Sequence, residues 1–250
     1  MDKLLWISMS GAKENFHSLG VRSNNLANAN TTGFKADFEQ SRSMSVFADA
    51  YPSRAFAMTE RPGFNMDDGP IQTTDRALDI AVRGEGMIAV TDKQGNEAYT
   101  RFGNLRLDSD GVLRTGTGLD VLDEDGAQIV LPALVEDLHI SDDGVISGRP
   151  QGADSNVLEE YQRIKLVRPD IKAIEKGYDG LFRRIDGNPM EFDENVRVRS
   201  GILEASNVNP VAELTNLIRI QRQYDVQVKM METAKEIDQS QSNLMTYDGM

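Results

Sequence analysis

Residues 4–26 read LLWISMSGAKENFHSLGVRSNNL and decide the architecture of the N-terminal end. Apolar and small residues recur there at alternating spacings of four and three, which is typical of a helix that packs along one side. The members of this heptad seam are Leu5, Met9, Ala12, Phe16, Leu19, Ser23 and Leu26. No proline interrupts residues 1–51. The pattern therefore predicts one helix of about 27 residues.

The predicted end of this helix is rich in asparagine and threonine. Asn28, Asn30, Thr31 and Thr32 lower helix propensity, and Gly33 is able to adopt the left-handed conformation. We expect the helix to stop within this segment.

The C-terminal end has the same heptad periodicity. Asn209 and Pro210 suit the cap and first position of a helix, and Glu213 favours its dipole. Spacings of three and four then connect Leu214, Leu217, Gln221, Tyr224, Val228 and Met231. A second long helix is predicted to run to about residue 240 and to pair with the first in a coiled-coil-like core.

The central part contains short apolar or alternating runs separated by Gly- and Asp-rich turns, which indicates an antiparallel barrel or sandwich. Pro52, Pro62 and Pro70 suggest an extended connector with little regular structure before it. The predicted fold class is α+β, with four parts. These are an N-terminal core helix at 1–35, a connector at 36–75, a central β domain at 76–200 and a C-terminal core helix at 201–250.

Charge and composition exclude several classes of function. The 250 residues include 27 basic and 40 acidic side chains, and the net charge of −13 resides in residues 36–205 because the two ends carry +2 and −2. Such a field repels nucleic acids and anionic membrane surfaces. The chain has no cysteine, and no apolar run approaches the roughly 20 residues that span a bilayer. The short apolar run at residues 4–7 also predicts no cleaved signal peptide.

No catalytic, cofactor or metal site is predicted. Gly84, Gly86 and Ala89 match the spacing of a dinucleotide loop, but they lead into a strand candidate instead of a helix, so we expect a tight β turn. The turns beginning at Asp108 and Asp123 lack the Gly and Glu of a calcium-binding EF-hand loop. A pair of carboxylates could still lie close together in space. A secreted β-fold carbohydrate-active enzyme therefore stays open as an alternative.

Three segments give the chain a specific resemblance. Residues 23–35 read SNNLANANTTGFK, residues 76–90 read RALDIAVRGEGMIAV, and residues 200–211 read SGILEASNVNPV. Together they resemble the flagellar axial proteins, and the flagellar basal-body rod family in particular. The resemblance implies a structural, non-enzymatic subunit of the proximal rod that assembles helically through its terminal helices, transmits torque and forms the wall of the export channel. A distal-rod or hook-like subunit is the alternative within the family.

The same resemblance implies partners and location. The partners would be copies of the chain itself, the other proximal-rod and distal-rod subunits, and the flagellar type III export apparatus. The location would be the periplasmic rod, reached without a cleaved signal peptide.

The predicted assembly residues lie on the two helices and on the segment after the first one. Small alanines allow close helix approach, and the asparagine amides are able to hydrogen-bond across subunit boundaries. The complete set is Leu5, Met9, Ala12, Phe16, Leu19, Asn24, Asn25, Leu26, Asn28, Asn30, Gly33, Phe34, Leu214, Leu217, Tyr224, Val228 and Met231.

Overall fold

The computed structural model describes residues 2–48, 51–59, 63–132, 135–152 and 158–247. The chain divides into two compact units. Unit 1 comprises residues 1–27, 37–65 and 208–250, and unit 2 comprises residues 28–36 and 66–207. Each unit is therefore assembled from separate stretches of the sequence.

The described residues of unit 1 form two long helices and four strands. Helix α1 spans Asp2–Ala27, and the strands are β1 (Asp37–Phe38), β2 (Ser41–Ala48), β3 (Tyr51–Thr59) and β4 (Gly63–Phe64). Helix α2 spans Pro210–Tyr247. The predicted N-terminal and C-terminal helices are confirmed.

The start of α2 follows the sequence signal closely. The side chain of Asn209 accepts hydrogen bonds from the N–H groups of Val211 (3.1 Å) and Ala212 (3.2 Å), which satisfies two donors that a helix start leaves free. The helix continues to Tyr247, beyond the predicted end near residue 240, because no glycine or proline stands between residues 211 and 247.

The prediction of little regular structure in residues 36–75 is wrong at its centre. Strands β2 and β3 pair antiparallel over their whole length, from Ser41 opposite Thr59 to Ala48 opposite Tyr51. Pro52 lies in β3 opposite Phe47, directly after a register shift in β2. A proline is tolerated at such an irregularity because the ladder needs no donor there, and its presence concealed the strand in the sequence.

The described part of unit 2 consists of short strands and a 3-10 helix (Ile171–Ala173). The strands are β5 (Ile71–Thr73), β6 (Ile80–Arg83), β7 (Met87–Thr91), β8 (Glu97–Thr100), β9 (Leu105–Leu107), β10 (Leu113–Thr115), β11 (Val135–Ile140), β12 (Val145–Pro150), β13 (Glu159–Arg163), β14 (Leu166–Val167), β15 (Ile174–Lys176), β16 (Phe182–Arg184), β17 (Arg197–Ser200) and β18 (Ile202–Glu204).

The strands of unit 2 form antiparallel sheets. The largest has the order β14-β7-β8-β16-β15, a second has the order β11-β12-β13, and the pairs β9–β10, β6–β17 and β5–β18 stand separately. Gly84 has a φ of 68° in the turn between β6 and β7, which agrees with the predicted tight turn. The predicted central antiparallel β region is confirmed.

One continuous hydrophobic core lies inside unit 2. Ile88, Val90, Leu113 and Ile129 are completely buried in it. Alternation along the strands places these side chains inward while their polar neighbours face outward.

The two units differ from the four parts predicted from the sequence. Residues 28–35 and 201–207 are predicted as parts of the terminal helices, but they belong to unit 2, and residues 37–65 of the predicted connector belong to unit 1. The reason is pairing: β18 pairs with β5 inside unit 2, and β1 pairs with β4 inside unit 1.

Candidate assembly surface

Helices α1 and α2 contact each other within unit 1. Arg22 Nη1 of α1 donates to Glu213 Oε1 of α2 at 2.9 Å. At the other end of the contact, a Cβ added at Gly11 would lie 3.0 Å from Gln227 Nε2. Earlier residues of α1 thus meet later residues of α2, so the two helices run antiparallel.

The face of α1 that is turned inward carries small and polar residues. Ser8, Ala12 and Asn25 are buried, and Gly11 lies against Gln227. Small side chains allow two helices to approach closely. This face is rotated relative to the predicted heptad seam.

The large apolar residues of the predicted α1 seam do not all face α2. Leu5 is 38% exposed, Met9 45% and Phe16 65%, whereas Leu19 and Leu26 are half-buried. The seam therefore lies only partly within the contact between α1 and α2. Leu5, Met9 and Phe16 do not pack between the two helices of this chain. Their positions leave three large side chains in solvent along one side of the helix.

Helix α2 has two apolar faces. The predicted residues Leu217, Tyr224, Val228 and Met231 are half-buried, and Ile220 and Ala234 are fully buried between them. At about 100° per residue, a second set projects from a different side of the helix. This outer set is exposed and includes the predicted residue Leu214 (49%); its other members are Val211, Ile218, Val226, Met230 and Ile237.

We call these exposed side chains the outer apolar face of unit 1. It consists of Leu4, Leu5, Trp6, Ile7, Met9 and Phe16 on α1, and of Val211, Leu214, Ile218, Val226, Met230 and Ile237 on α2. Residues 4–7 are consecutive, so they surround the start of α1, whereas Leu5, Met9 and Phe16 share one side of the helix. A monomeric soluble protein rarely exposes so many large apolar side chains along two helices. The face has the composition of a surface that other chains cover.

A groove of about 720 Å³ lies in unit 1 beside α1, β3 and α2. Its walls combine apolar side chains such as Ile218 and Val226 with the charged side chains of Glu14, Arg219 and Arg222. One carboxylate oxygen of Glu14 is buried there without a hydrogen bond from the described residues.

The predicted asparagines have different roles. Asn25 is fully buried, and its amide donates to the carbonyl of Asp37 (2.7 Å) and accepts from the N–H of the same residue (2.8 Å). Asn28 accepts from the Thr31 hydroxyl at 3.2 Å. Asn24 and Asn30 are exposed. Asn25 therefore holds β1 against α1 inside the chain instead of reaching a neighbour through its amide.

Gly33 and Phe34 are internal residues of unit 2. Gly33 has a φ of 67°, and a side chain there would clash with the carbonyl oxygen of Arg101. The Phe34 ring is buried beneath Lys176, whose Nζ lies 3.8 Å from the ring centroid. The left-handed conformation predicted for Gly33 is confirmed, although it lies six residues beyond the end of α1.

Sequence reasoning missed a buried charged cluster next to these residues. Lys35 Nζ lies 2.7 Å from Glu204 Oε1, and Arg101 Nη2 lies 2.7 Å from Asp68 Oδ1. Burial lowers the pKa of Lys35, and the hydrogen bond to Glu204 opposes this shift. The sequence carries only a faint signal for the cluster, because its members are separated by up to 169 positions.

The described residues contain neither a cluster that would hold a metal ion nor a helix that would span a membrane. Nowhere among them do three or more His, Cys, Asp or Glu side chains gather in a way that would hold a metal ion. Within the same part of the chain, neither helix has the length and apolarity that crossing a membrane requires.

Three family profiles match the chain. The profile described as "Flagella basal body rod protein" matches residues 5–35, "Flagellar hook protein FlgE/F/G D1 domain" matches residues 81–148, and "Flagellar basal body rod FlgEFG protein C-terminal" matches residues 199–244. The first and third cover most of α1 and α2, and the second covers part of unit 2.

Similar proteins match over nearly their full length. The chain is 34% identical to "Flagellar basal-body rod protein FlgF" of Escherichia coli K12 over 242 residues, which cover 94% of this chain and 95% of the relative. It is 35% identical to the FlgF protein of Caulobacter vibrioides, with 96% of each chain covered. It is also 31% identical to "Flagellar basal-body rod protein FlgG" of Buchnera aphidicola, with 96% and 98% covered.

Proposed function

Because this chain belongs to the flagellar basal-body rod proteins of the FlgF type, we propose that it is built into the proximal part of the rod through its outer apolar face. The chain is a structural subunit of the basal-body rod. It is not an enzyme, since its relatives are structural rod proteins, and the carbohydrate-active alternative is set aside.

The observation that carries the proposal is that α2 has two apolar faces, one buried and one exposed. The inner face, with Ile220 buried, already contacts α1. The outer face leaves Leu214 and Ile218 exposed by 49% and 57%. A helix that is apolar on two sides needs two partners, and the second one is the helical end of an adjacent rod subunit.

The exposed residues of α1 give unit 1 further apolar side chains for a neighbour to cover. Burying one side chain such as Phe16 or Leu5 contributes about 1.5–3 kcal/mol, and a helical assembly repeats each contact in every subunit. Copies of this chain and the neighbouring proximal-rod and distal-rod subunits are the proposed occupants. In this arrangement the coiled-coil-like pairing predicted from the heptads also includes helices of neighbouring chains.

We further propose that the chain reaches the periplasmic rod through the flagellar type III export apparatus, without cleavage of a signal peptide. The assembled subunits would line the export channel and carry torque. The absence of cysteine suits either side of the inner membrane, because no disulfide has to form after export.

The test compares two aspartate substitutions in flagellated cells. Phe16→Asp lies on the outer apolar face and Ile185→Asp, also at an exposed residue, lies in unit 2 (65% and 48% exposed). Both proteins should accumulate and melt like the wild type, because exposed substitutions change stability by only about 0.5 kcal/mol. Basal bodies should contain the Ile185→Asp protein and lack the Phe16→Asp protein.

Normal incorporation of Phe16→Asp would refute assembly through this face. The position along the rod is tested separately by imaging a tagged chain in isolated basal bodies. Label at the membrane-proximal end supports the proximal-rod proposal, and label near the hook would favour the distal-rod or hook-like alternative.

A further inference from the structure

A charged cluster is buried at one edge of unit 2. The side chains of Lys35, Arg101 and Glu204 are 1%, 0% and 4% exposed. Lys35 Nζ lies 2.7 Å from Glu204 Oε1, and Arg101 Nε lies 3.6 Å from Glu204 Oε2. Asp68, which is largely exposed, accepts from Arg101 Nη2 at 2.7 Å. Charged groups are rarely buried to this extent unless they are paired.

The cluster binds backbone atoms from three separate stretches of the chain. Lys35 Nζ donates to the carbonyl of Asp67 at 2.8 Å, and Glu204 Oε1 accepts from the N–H of Gly69 at 3.0 Å. The N–H of Gly33 donates to the backbone carbonyl of Glu204 at 2.7 Å. The segments around residues 33–36, 66–69 and 204–207 are thereby joined to one another.

Asn207 repeats the same connection. Its Oδ1 accepts from the N–H of Ala36 at 2.7 Å, and its Nδ2 donates to the carbonyl of Asp67 at 2.9 Å. The N–H of Asn207 also donates to the carbonyl of Phe34 at 3.3 Å. One amide side chain therefore bonds to both of the other segments.

Each of these segments ends where the chain passes from one unit to the other. The passages beside them are at residues 36/37, 65/66 and 207/208, and the fourth, at residues 27/28, leads directly into the first of these segments. We propose that five side chains form a clamp, which holds these three segments in fixed positions relative to one another. The side chains of the clamp are Lys35, Arg101, Glu204, Asn207 and Asp68. This role rests on the proposed function. In a rod subunit that carries torque, the force that the chain transmits between its units passes through these segments.

The chemistry of the clamp suits a fixed geometry. Hydrogen bonds and ion pairs are directional, whereas apolar contacts permit sliding, so a buried polar network specifies one register. The backbones are also pressed together: a side chain at Gly69 would clash with the carbonyl oxygen of Ala205. The segments have no space in which to shift relative to one another while the polar groups stay bonded.

The experiment measures amide hydrogen exchange in the full-length chain. Glu204→Gln keeps the shape of the side chain and removes its charge. The matched control is Glu97→Gln, which removes a carboxylate from the Lys165 pair (3.0 Å; 7% and 14% exposed) elsewhere in unit 2. We expect exchange at Gly33, Ala36, Gly69 and Asn207 to accelerate at least tenfold in Glu204→Gln only. Exchange at the core amide of Leu113, which donates to Ile129, should stay unchanged.

A second variant tests the proposal if Glu204→Gln unfolds unit 2. Asn207→Ala removes a half-buried side chain and should accelerate exchange at Ala36 at least tenfold while Leu113 keeps its wild-type rate. Unchanged exchange at Ala36, or an equal acceleration at Ala36 and Leu113, would overturn the clamp. Because exchange is measured on the free chain, this result is independent of whether the subunit enters the rod.

Discussion

Units 1 and 2 differ in how completely they bury their apolar side chains. Unit 2 surrounds residues such as Ile88, Val90 and Leu113 completely. Unit 1 leaves Trp6, Phe16 and Ile218 more than half exposed and buries mostly small or polar residues on α1. Unit 2 therefore encloses its own apolar core, whereas unit 1 carries the surface that we propose neighbouring subunits cover.

The difference shows where the stability of each unit originates. A fully buried Leu or Ile contributes about 1.5–3 kcal/mol relative to leaving it exposed. Unit 2 gains this contribution within one chain. In the proposed assembly, the exposed side chains of unit 1 gain it only when a neighbouring subunit covers them, so we expect the stability of this unit to increase with the concentration of its neighbours.

The sharpest test of this contrast truncates one isoleucine in each unit. Ile88→Ala in unit 2 should lower the free energy of unfolding by about 2–5 kcal/mol, because it leaves a cavity in a closed core. Ile218→Ala in unit 1 should change it by no more than about 0.5 kcal/mol, because the residue is 57% exposed. Calorimetry on the transition of unit 2 measures the first effect.

Equal destabilisation of the free subunit by Ile218→Ala and Ile88→Ala would contradict this difference between the two units. That result would mean that the outer apolar face is already covered within one chain.

A second test uses two glycines with opposite expected effects. Gly33→Ala should destabilise unit 2 by at least about 2 kcal/mol, because φ is 67° and the new Cβ meets the carbonyl of Arg101. Gly20→Ala should stabilise α1 by about 0.5–1 kcal/mol, because its new Cβ meets no atom within 4 Å. Urea unfolding of both variants gives the two signs.

A loss of stability in Gly20→Ala, or none in Gly33→Ala, would contradict these assignments. The pair is informative because both substitutions add the same single methyl group.

The smallest expected effect concerns acid stability of unit 2. Hydrogen bonding from Arg183 holds the pKa of Asp179 below its ordinary value. Burial raises the pKa of Asp92, but hydrogen bonds from the backbone of Asn96 and Gln94 and from Arg183 outweigh it and leave that pKa lowered as well. The folded state therefore binds fewer protons than the unfolded state, and this contribution is present above pH 3.8 and is lost as the pH falls below it.

Arg183→Gln should consequently lower the melting temperature at pH 7 and have less effect at pH 3. We expect a difference below about 1 kcal/mol, because Arg183 and Asp179 are partly exposed. Arg184→Gln, which removes a more exposed ion pair with Asp186 (39% and 42% exposed), is the control. An effect of Arg183→Gln that does not shrink in acid would exclude these carboxylates as its source.

Much of the fold could be predicted from local sequence patterns. The Asn209-Pro210 cap, the helical periodicity of both ends and the strand at residues 87–90 all depend on neighbours within one or two turns. The hairpin of β2 and β3 was missed because Pro52 lies in the strand at a register shift, and a single sequence does not reveal the partner that tolerates it.

The assembly residues were predicted with mixed success. Periodicity identified the apolar residues but not which side of α1 meets α2, because a seam of large residues and a face of small ones both follow the helical repeat. Gly33 was correctly expected to be left-handed, yet its environment depends on Arg101, which is 68 positions away in the sequence. Lys35 and Glu204 were not singled out, because nothing local distinguishes a buried ion pair from two surface charges.

The long separation between the two halves of the clamp also has a consequence for folding kinetics. Lys35 and Glu204 are 169 residues apart, so their contact closes a loop that contains most of the chain. Closing such a loop reduces the conformational entropy of the chain before the contact stabilises it. Proteins with many contacts of this kind therefore fold slowly. A nascent chain that has exposed Lys35 still lacks Glu204 until more than four-fifths of it has been synthesised. We therefore expect the contacts between residues 33–36 and 204–207 to be among the last in unit 2 to form.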